Sequence, residues 1–365
     1  MAENTFLQNA KTAKNDEFYT QYEDIEREIN SYISYNKNVF KGKTIFLPCD
    51  DPEWSNFTKY FAANFERFGI KKLISTSYAK SSGNQQISLF ELNSPVYDED
   101  KHNNNGKLFV LEKDTNNSGR IDHEDIEFTY LQGDGDFRSP EVTKLRDEAD
   151  IIITNPPFSL FREFLTWILE NNKQFLIIGN INCLTYNEVF PRIQSNSIWL
   201  GTGMGRWISG FIVPNSYELY GTEAYVDSEG NRIVATNNCL WLTNLEHGKR
   251  HDILPLSTMA ENLKYNKTLK NRLQKKFGDN TKYPVYDNFD AIDVPFTEAI
   301  PSDYSGMMGV PITFLDKYNP EQFEIVGNSG DLAQPVFIDG HKKSGRFYIN
   351  NIRMYDRIVI KKRSE

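Results

Sequence analysis

With 365 residues, 39% apolar and 25% charged, the chain can build a packed core and has room for one large domain or two ordinary ones, so disorder is excluded and a main domain with a smaller companion is expected. No stretch approaches the ~18 uninterrupted apolar residues of a membrane span, and the opening MAENTFLQNAKTAKNDEFYTQ lacks the apolar centre of a signal peptide; a cytoplasmic protein without a membrane partner is expected. The net charge of −9 excludes a uniformly basic nucleic-acid-binding surface but not a local one, since acids crowd the stretch from Glu91 to Asp150 and bases the end of the chain. Cys49, Cys183 and Cys239 are odd in number and far apart, which reads as reduced thiols rather than a disulfide framework or a zinc site.

Taken in chain order, EFYTQYEDIEREINSYI sets Tyr22, Ile25, Ile29 and Ile33 at helical spacing. Thr44 to Leu47 then form a short apolar strand. Pro48 and Pro52 bracket a loop, and Ser55 is placed to cap a helix bearing Phe57, Tyr60, Phe61 and Phe65. KKLISTSY is a second strand. ADIIITNPPFSLFREFLTWILEN repeats strand, loop and helix, and KQFLIIGNIN is another buried strand. Continuous apolar strands alternating with helices indicate an α/β fold with a mostly parallel sheet covered on both faces. Ligands of such sheets bind beyond the carboxyl ends of the strands, where the Pro-Cys-Asp-Asp and Asn-Pro-Pro-Phe loops both fall.

After about Ile198 the text turns to short strands and turns. GTGMGR is read as a turn, since no helical pattern follows it, and AENLKYNKTLKNRLQKKF is the one convincing later helix. A soft boundary at 200–250 divides residues 1–210 from residues 211–365, the latter contributing remaining sheet strands and a smaller C-terminal region.

The stretch Asn155-Pro156-Pro157-Phe158 ends an apolar strand with two residues that cannot donate backbone hydrogen bonds. As a bare tetrapeptide it reads as a rigid turn into a helix. At the end of a buried strand it offers more: the Asn155 side chain and the Pro156 carbonyl are two fixed acceptors, and Phe158 is a ring face beside them. Such a set suits a planar substrate bearing an exocyclic amino group.

Here the sequence resembles a family, the EcoRI-type adenine-specific DNA methyltransferases. The likeness runs from about Asn15 to Lys362 through NDEFYTQYEDIEREI, PCDDPEWSNFTKYF, GDGDFRSPE, NPPFSLFREF, NNCLWLTNLEH and MMGVPITFLDKYNPEQFEIVG. The resemblance implies a Rossmann-like class I methyltransferase domain (residues 1–210) that binds S-adenosyl-L-methionine, with a C-terminal target-recognition region. It implies methyl transfer to N6 of an adenine flipped out of double-stranded DNA and stacked on Phe158, with Asn155, Pro156 and Pro157 forming the rest of the catalytic loop. For the cofactor it implies Tyr19 and Thr20 at the methionine end, Cys49, Asp50 and Asp51 at the ammonium or ribose, and Asp136 with Phe137 at the adenine. The loop after the first strand has no glycine, unlike the general pattern of this fold, and the second strand lacks the usual ribose-binding acid. The division of labour between Asp50 and Asp51 therefore stays open.

The order of these motifs leaves DNA recognition to the C-terminal part, where the basic, aromatic run HKKSGRFYINNIRMYDRIVIKKR supplies Lys342, Lys343, Arg346 and Arg353 as expected phosphate and base contacts. A restriction-modification or an orphan methylation system would both accommodate such an enzyme; a cognate restriction endonuclease is a candidate partner, and a monomer is expected. The rival readings are a protein glutamine methyltransferase, in which the basic run would have no purpose, and a DNA-binding protein that has lost catalysis, against which the intact Asn155 to Phe158 stands.

DTNNSGRIDHED raises a separate question. Asp114, Asn116, Ser118, Asp122 and Asp125, with Gly119, match the oxygen-ligand spacing of a calcium loop, yet the last ligand is Asp rather than Glu and GKLFVLEK before it reads as a strand. Two readings stand: a structural calcium site, or a polar hairpin turn.

Overall fold

The computed structural model describes residues 19–50, 55–79, 89–92, 94–213, 224–228, 230–235, 237–338 and 340–363. The chain divides into two compact units, residues 1–188 with 198–247, and residues 189–197 with 248–365.

The first unit carries β1 (Tyr19–Thr20), β2 (Thr44–Leu47), β3 (Lys72–Ser77), β4 (Lys107–Leu111), β5 (Glu127–Tyr130), β6 (Ile151–Thr154), β7 (Gln174–Asn180), β8 (Trp199–Met204), β9 (Phe211–Val213), β10 (Ala224–Val226), β11 (Arg232–Val234) and β12 (Cys239–Thr243). Eight of these make one sheet in the order β5-β4-β3-β2-β6-β7-β12-β8. The pairings of β2 with β3, β2 with β6 and β6 with β7 are parallel, as the apolar runs predict. The flanks are antiparallel, and because β5 and β8 each lie two antiparallel steps from a central strand, only β4 and β12 run against the rest. The unit passes residue 210 because β12 completes this sheet.

All four residues of β2 and of β6 are buried, so both faces of the sheet are covered. On one face lie the helices Tyr22–Tyr35 and Asn56–Ala63, which give Ile25, Ile29, Tyr32, Phe57, Tyr60 and Phe61 to a core shared with Ile45, Leu47, Ile151 and Ile153. Ser55 caps the second helix by accepting from the Phe57 amide. Tyr22, expected on the buried face, is 37% exposed; the helix starts there and Tyr32 takes the inward position instead. The order reverses between β2 and β6, since β3 lies on one side of β2 and β6 and β7 on the other. A crevice for a ligand forms at such a switch point.

The GTGMGR stretch splits between β8 and a short 3-10 turn, Gly205–Trp207. Its first glycine makes room for a buried carboxylate. A Cβ at Gly201 would collide with Glu28 of the first helix, whose carboxylate accepts from the Thr202 amide (2.8 Å), the Thr202 hydroxyl (2.6 Å) and the Tyr32 hydroxyl (2.9 Å). A second, smaller sheet, β1-β9-β11-β10, pairs Thr20 with Phe211.

The second unit holds the helices Met259–Tyr265 and Lys267–Phe277, the expected single helix broken where Asn266 caps the second by accepting from the Leu269 amide. It adds β13 (Ile292–Asp293), β14 (Met308–Val310), β15 (Phe323–Asn328), β16 (Val336–Ile338), β17 (His341–Lys343), β18 (Tyr348–Ile349), β19 (Ile352–Arg353) and β20 (Ile358–Lys362). β13-β14-β20-β15 form one sheet, while β16 with β17 and β18 with β19 are separate hairpins. Phe347 is stacked between Tyr286 (centroids 4.3 Å) and Phe289 (5.1 Å) in the core of the unit. No helix among the described residues is long and apolar enough to cross a membrane.

Candidate active site

The ends of β2 and β6 are tied together by one side chain. The Thr154 hydroxyl, the last of β6, lies 2.6 Å from both the Pro48 carbonyl and the Asp50 carboxylate. Asp50 also accepts from the Ser55 hydroxyl at 2.7 Å, and its amide donates to the Thr76 carbonyl at the end of β3. Asp50 is only 6% exposed. Through its carboxylate, which holds the end of β6 and the helix start, and its amide, which holds the end of β3, Asp50 brackets the loop after β2, a framework duty that the sequence reading, which gave it to the cofactor, missed. Asp51 lies outside the described residues.

Cys49 occupies the place where this kind of fold usually has glycine, and it adopts the backbone that glycine would supply, with φ at 66°. A left-handed conformation costs an L-residue roughly 1–2 kcal/mol. Its thiol is raised well above the ordinary value by burial and then by the charges of Asp50 and Asp136, so these two acids, 86 positions apart in sequence, share one neighbourhood. Cys49→Gly is expected to raise stability by about 1 kcal/mol, read from the denaturant midpoint. A fall instead would mean that packing of the thiol outweighs the backbone strain.

The loop that brings Asp136 to this place depends on Gly135, which has φ at 84° and on which a Cβ would collide with the Ser77 carbonyl. The Ala79 amide donates to the Asp134 carbonyl at 2.7 Å, closing the loop onto the end of β3. Asp136 is bound by Arg138 through two contacts, Nε to Oδ1 at 2.9 Å and Nη2 to Oδ2 at 2.6 Å, and this guanidinium holds the carboxyl below the usual carboxylate range. Arg138 in turn reaches Glu163 at 2.8 Å. Phe137 is 3% exposed and packs edge-on against Phe164 (5.0 Å) and Trp167 (5.5 Å), so it anchors the loop to the helix Phe161–Leu169. The aromatic residue facing outward here is Tyr78, 49% exposed, whose phenol is raised by burial and then by Asp134 and Asp136. A tyrosine ending a predicted strand was the available signal.

Thr20, in β1, is 2% exposed, and its hydroxyl has no hydrogen-bond partner among the described residues. Buried polar atoms are rarely left so, and one beside a ligand crevice is suited to a ligand. Asn56 fixes the Thr20 backbone by donating to its carbonyl at 2.9 Å. Tyr19, next to it, is half-buried and pairs with Ile212.

Beyond Thr154 the chain leaves the sheet as Asn155 and Pro156, then turns at Pro157, whose carbonyl accepts from the Leu160 amide at 3.0 Å. Pro156 is buried, while Asn155, Pro157 and Phe158 are partly exposed at the carboxyl end of β6. The Phe158 ring packs edge-on against Phe211 of β9 at 5.8 Å. The small sheet that carries Thr20 thus also buttresses Phe158. Together Thr154, Asp50, Cys49 and Asp136 bring the loop after β2, the loop that carries Asp136 and the Asn-Pro-Pro-Phe loop to one end of the sheet.

The basic residues of the second unit divide by duty. Lys342, Lys343 and Arg353 are exposed on the hairpins. Arg346 is half-buried and pairs with Asp356 at 3.0 Å. Arg357 is buried against Asp293 (2.8 Å), and Lys362 and Arg363 donate to the carbonyls of Ser302 and Pro320. Part of the basic run therefore holds the fold together.

In the 114–125 loop the oxygens are taken up by the loop itself. Asp114 accepts from the Ser118 and Gly119 amides, Asn116 from the Ser118 amide, and the Ser118 hydroxyl donates to the Arg120 carbonyl. Asp122 accepts from the Glu124 amide. Burial would raise the Asp125 carboxyl, but the amides of Asp122, Thr115 and Asn116 and the Thr115 hydroxyl outweigh it and hold it below the usual range. Among the described residues no three His, Cys, Asp or Glu side chains are grouped to hold a metal ion. These hydrogen bonds shape the loop as a polar turn.

The family model for the adenine-specific methyltransferase EcoRI matches residues 6–363. The chain is 47% identical over 354 residues to the Type II methyltransferase M.EcoRI of Escherichia coli, covering 97% of this chain and 98% of that protein. It is 34% identical to the Type II methyltransferase M.MgeORF184P of Mycoplasma genitalium, covering 97% of each, and 31% identical to the Type II methyltransferase M.MpnI of Mycoplasma pneumoniae, covering 98% of each. No solved structure matches. A match over nearly the whole length, through both units, means that the chain belongs to the EcoRI family of adenine-specific methyltransferases.

Proposed function

We propose that this enzyme is a site-specific DNA methyltransferase of the class I fold that methylates N6 of a flipped-out adenine in double-stranded DNA, with the first unit binding S-adenosylmethionine and the second recognising the target. The observation that carries the reading is the Thr154 hydroxyl, which joins the loop after β2 to the strand that delivers Asn155. When bound, S-adenosylmethionine supplies an electrophilic methyl group on a cationic sulfur. What the chain contributes is alignment and electrostatics. Thr20 offers its hydroxyl to the methionine end, Asp136 and Tyr78 flank the adenosine, and Asp50 fixes the loop between them. Asn155 and the Pro156 carbonyl accept from the exocyclic amino group of the target base and draw its lone pair out of the purine. Phe158, braced by Phe211, stacks on the ring.

Lys342, Lys343 and Arg353 on the hairpins serve phosphates and base edges, and Arg346, paired with Asp356, a single rim contact. A cognate endonuclease would make the enzyme half of a restriction-modification pair. The test is expression in a host free of DNA methylation, followed by direct detection of modified bases in its genome. N6-methyladenine at one recurrent short sequence is expected. Unmodified DNA, from a folded protein that binds S-adenosylmethionine, would instead favour a protein glutamine substrate.

A further inference from the structure

The hairpin of β16 and β17 is a two-stranded ribbon that pairs with no other strand among the described residues. Its register sets Phe337 opposite Lys342, so these two side chains share a face, and Val336 and Ile338 point to the other. Val336 and Ile338 are partly covered, whereas Phe337 is 74% exposed. His341, Lys342 and Lys343 are exposed too, and among the described residues no carboxylate pairs with Lys342 or Lys343. The exposed Phe337 ring thus shares its face with Lys342, while Lys343 is exposed on the opposite face of the ribbon, and the arrangement is complementary to a polyanion that also offers an apolar contact.

Duplex DNA is such a partner. Its major groove admits a two-stranded ribbon, and nearly everything displayed on its floor is polar, the thymine 5-methyl group being the apolar exception. We propose that the β16–β17 ribbon enters the major groove of the target, that Lys342 and Lys343 sit on the flanking phosphates, and that Phe337 reads the methyl group of one thymine. The inference deepens the proposed DNA methylation and rests on it; it goes beyond it in naming the residue that distinguishes thymine at one position.

The experiment uses the full-length enzyme, the duplex containing the methylated sequence, and a series in which each thymine is replaced in turn by deoxyuridine, which lacks only that methyl. Binding is measured for the wild type, F337A and the double variant K342A/K343A. At one position the wild type loses about fivefold in affinity on deoxyuridine, F337A shows no further loss there, and F337A itself binds the unmodified duplex about tenfold more weakly. K342A/K343A lowers the slope of log K against log salt by about 2, and F337A leaves that slope alone. Because Phe337 is exposed, F337A melts like the wild type, which separates a binding effect from unfolding. If every deoxyuridine substitution affects wild type and F337A equally, or if F337A binds as tightly as wild type, the proposal is wrong although DNA methylation stands. If no duplex is methylated by the wild type, the functional reading itself has failed.

Discussion

Replacing Asn155 with alanine is expected to lower single-turnover methyl transfer by about a thousandfold or more while leaving the affinity for DNA within a few-fold of wild type. The magnitude follows from the role of an acceptor placed where charge develops; removing one such group from a preorganised site costs about 10²–10³ in rate, and here the same group also orients the nucleophile. The base must still be flipped and stacked, which depends on Phe158 and on the phosphate contacts and not on the amide. Asn155→Asp, which keeps an acceptor at the same position, should retain part of the rate. Turnover unchanged in Asn155→Ala, with binding lost, would move Asn155 from the chemistry to DNA recognition. The β6 end is otherwise anchored, since Thr154 is hydrogen-bonded and fully buried, so no large loss of stability should accompany the change.

Arg357→Met is expected to destabilise the protein by about 3–5 kcal/mol, the range for removing one partner of a buried ion pair. Asp293 is 1% exposed and takes both the Arg357 Nε at 2.8 Å and the Tyr286 hydroxyl at 2.7 Å. Without the guanidinium the carboxylate keeps only the phenol. Denaturant unfolding measures the loss, and the double variant Asp293→Asn/Arg357→Met should recover much of it because no uncompensated charge remains. The contrast is Arg346→Ala, whose partner Asp356 is exposed; removing such a pair should change stability by less than ~1 kcal/mol. Equal losses in the two arginine variants would show that burial is not what sets the cost. The network lies in the second unit, so DNA binding should suffer before cofactor binding does.

Much of the catalytic half was legible in the sequence because its signals are local. Strands β2, β6 and β7 are largely apolar on both faces, and that composition records burial directly. Asn155 to Phe158 and the Ser55 cap follow from backbone chemistry within a few residues. The family resemblance was legible for the same reason, being carried by short motifs in fixed order, and the match over residues 6–363 bears it out.

The tertiary structure decided what depends on distant partners. An apolar run does not encode its own direction, so the reversal of β4 and β12 appears only in the pairing register. A polar loop residue does not disclose which way it faces. Asp50 turned inward because Ser55 and Thr154 await it there, and Phe137 went to the core because Phe164 and Trp167 bury it. The glycines of GTGMGR resemble a nucleotide loop in sequence, yet the first of them, Gly201, admits Glu28 from a helix more than 170 residues away. Charge behaved likewise: the sequence counted the arginines of the basic run, but only the fold, by burying Arg357 against Asp293 and leaving Lys342 and Lys343 in solvent, separated those that hold the protein together from those free to meet a phosphate.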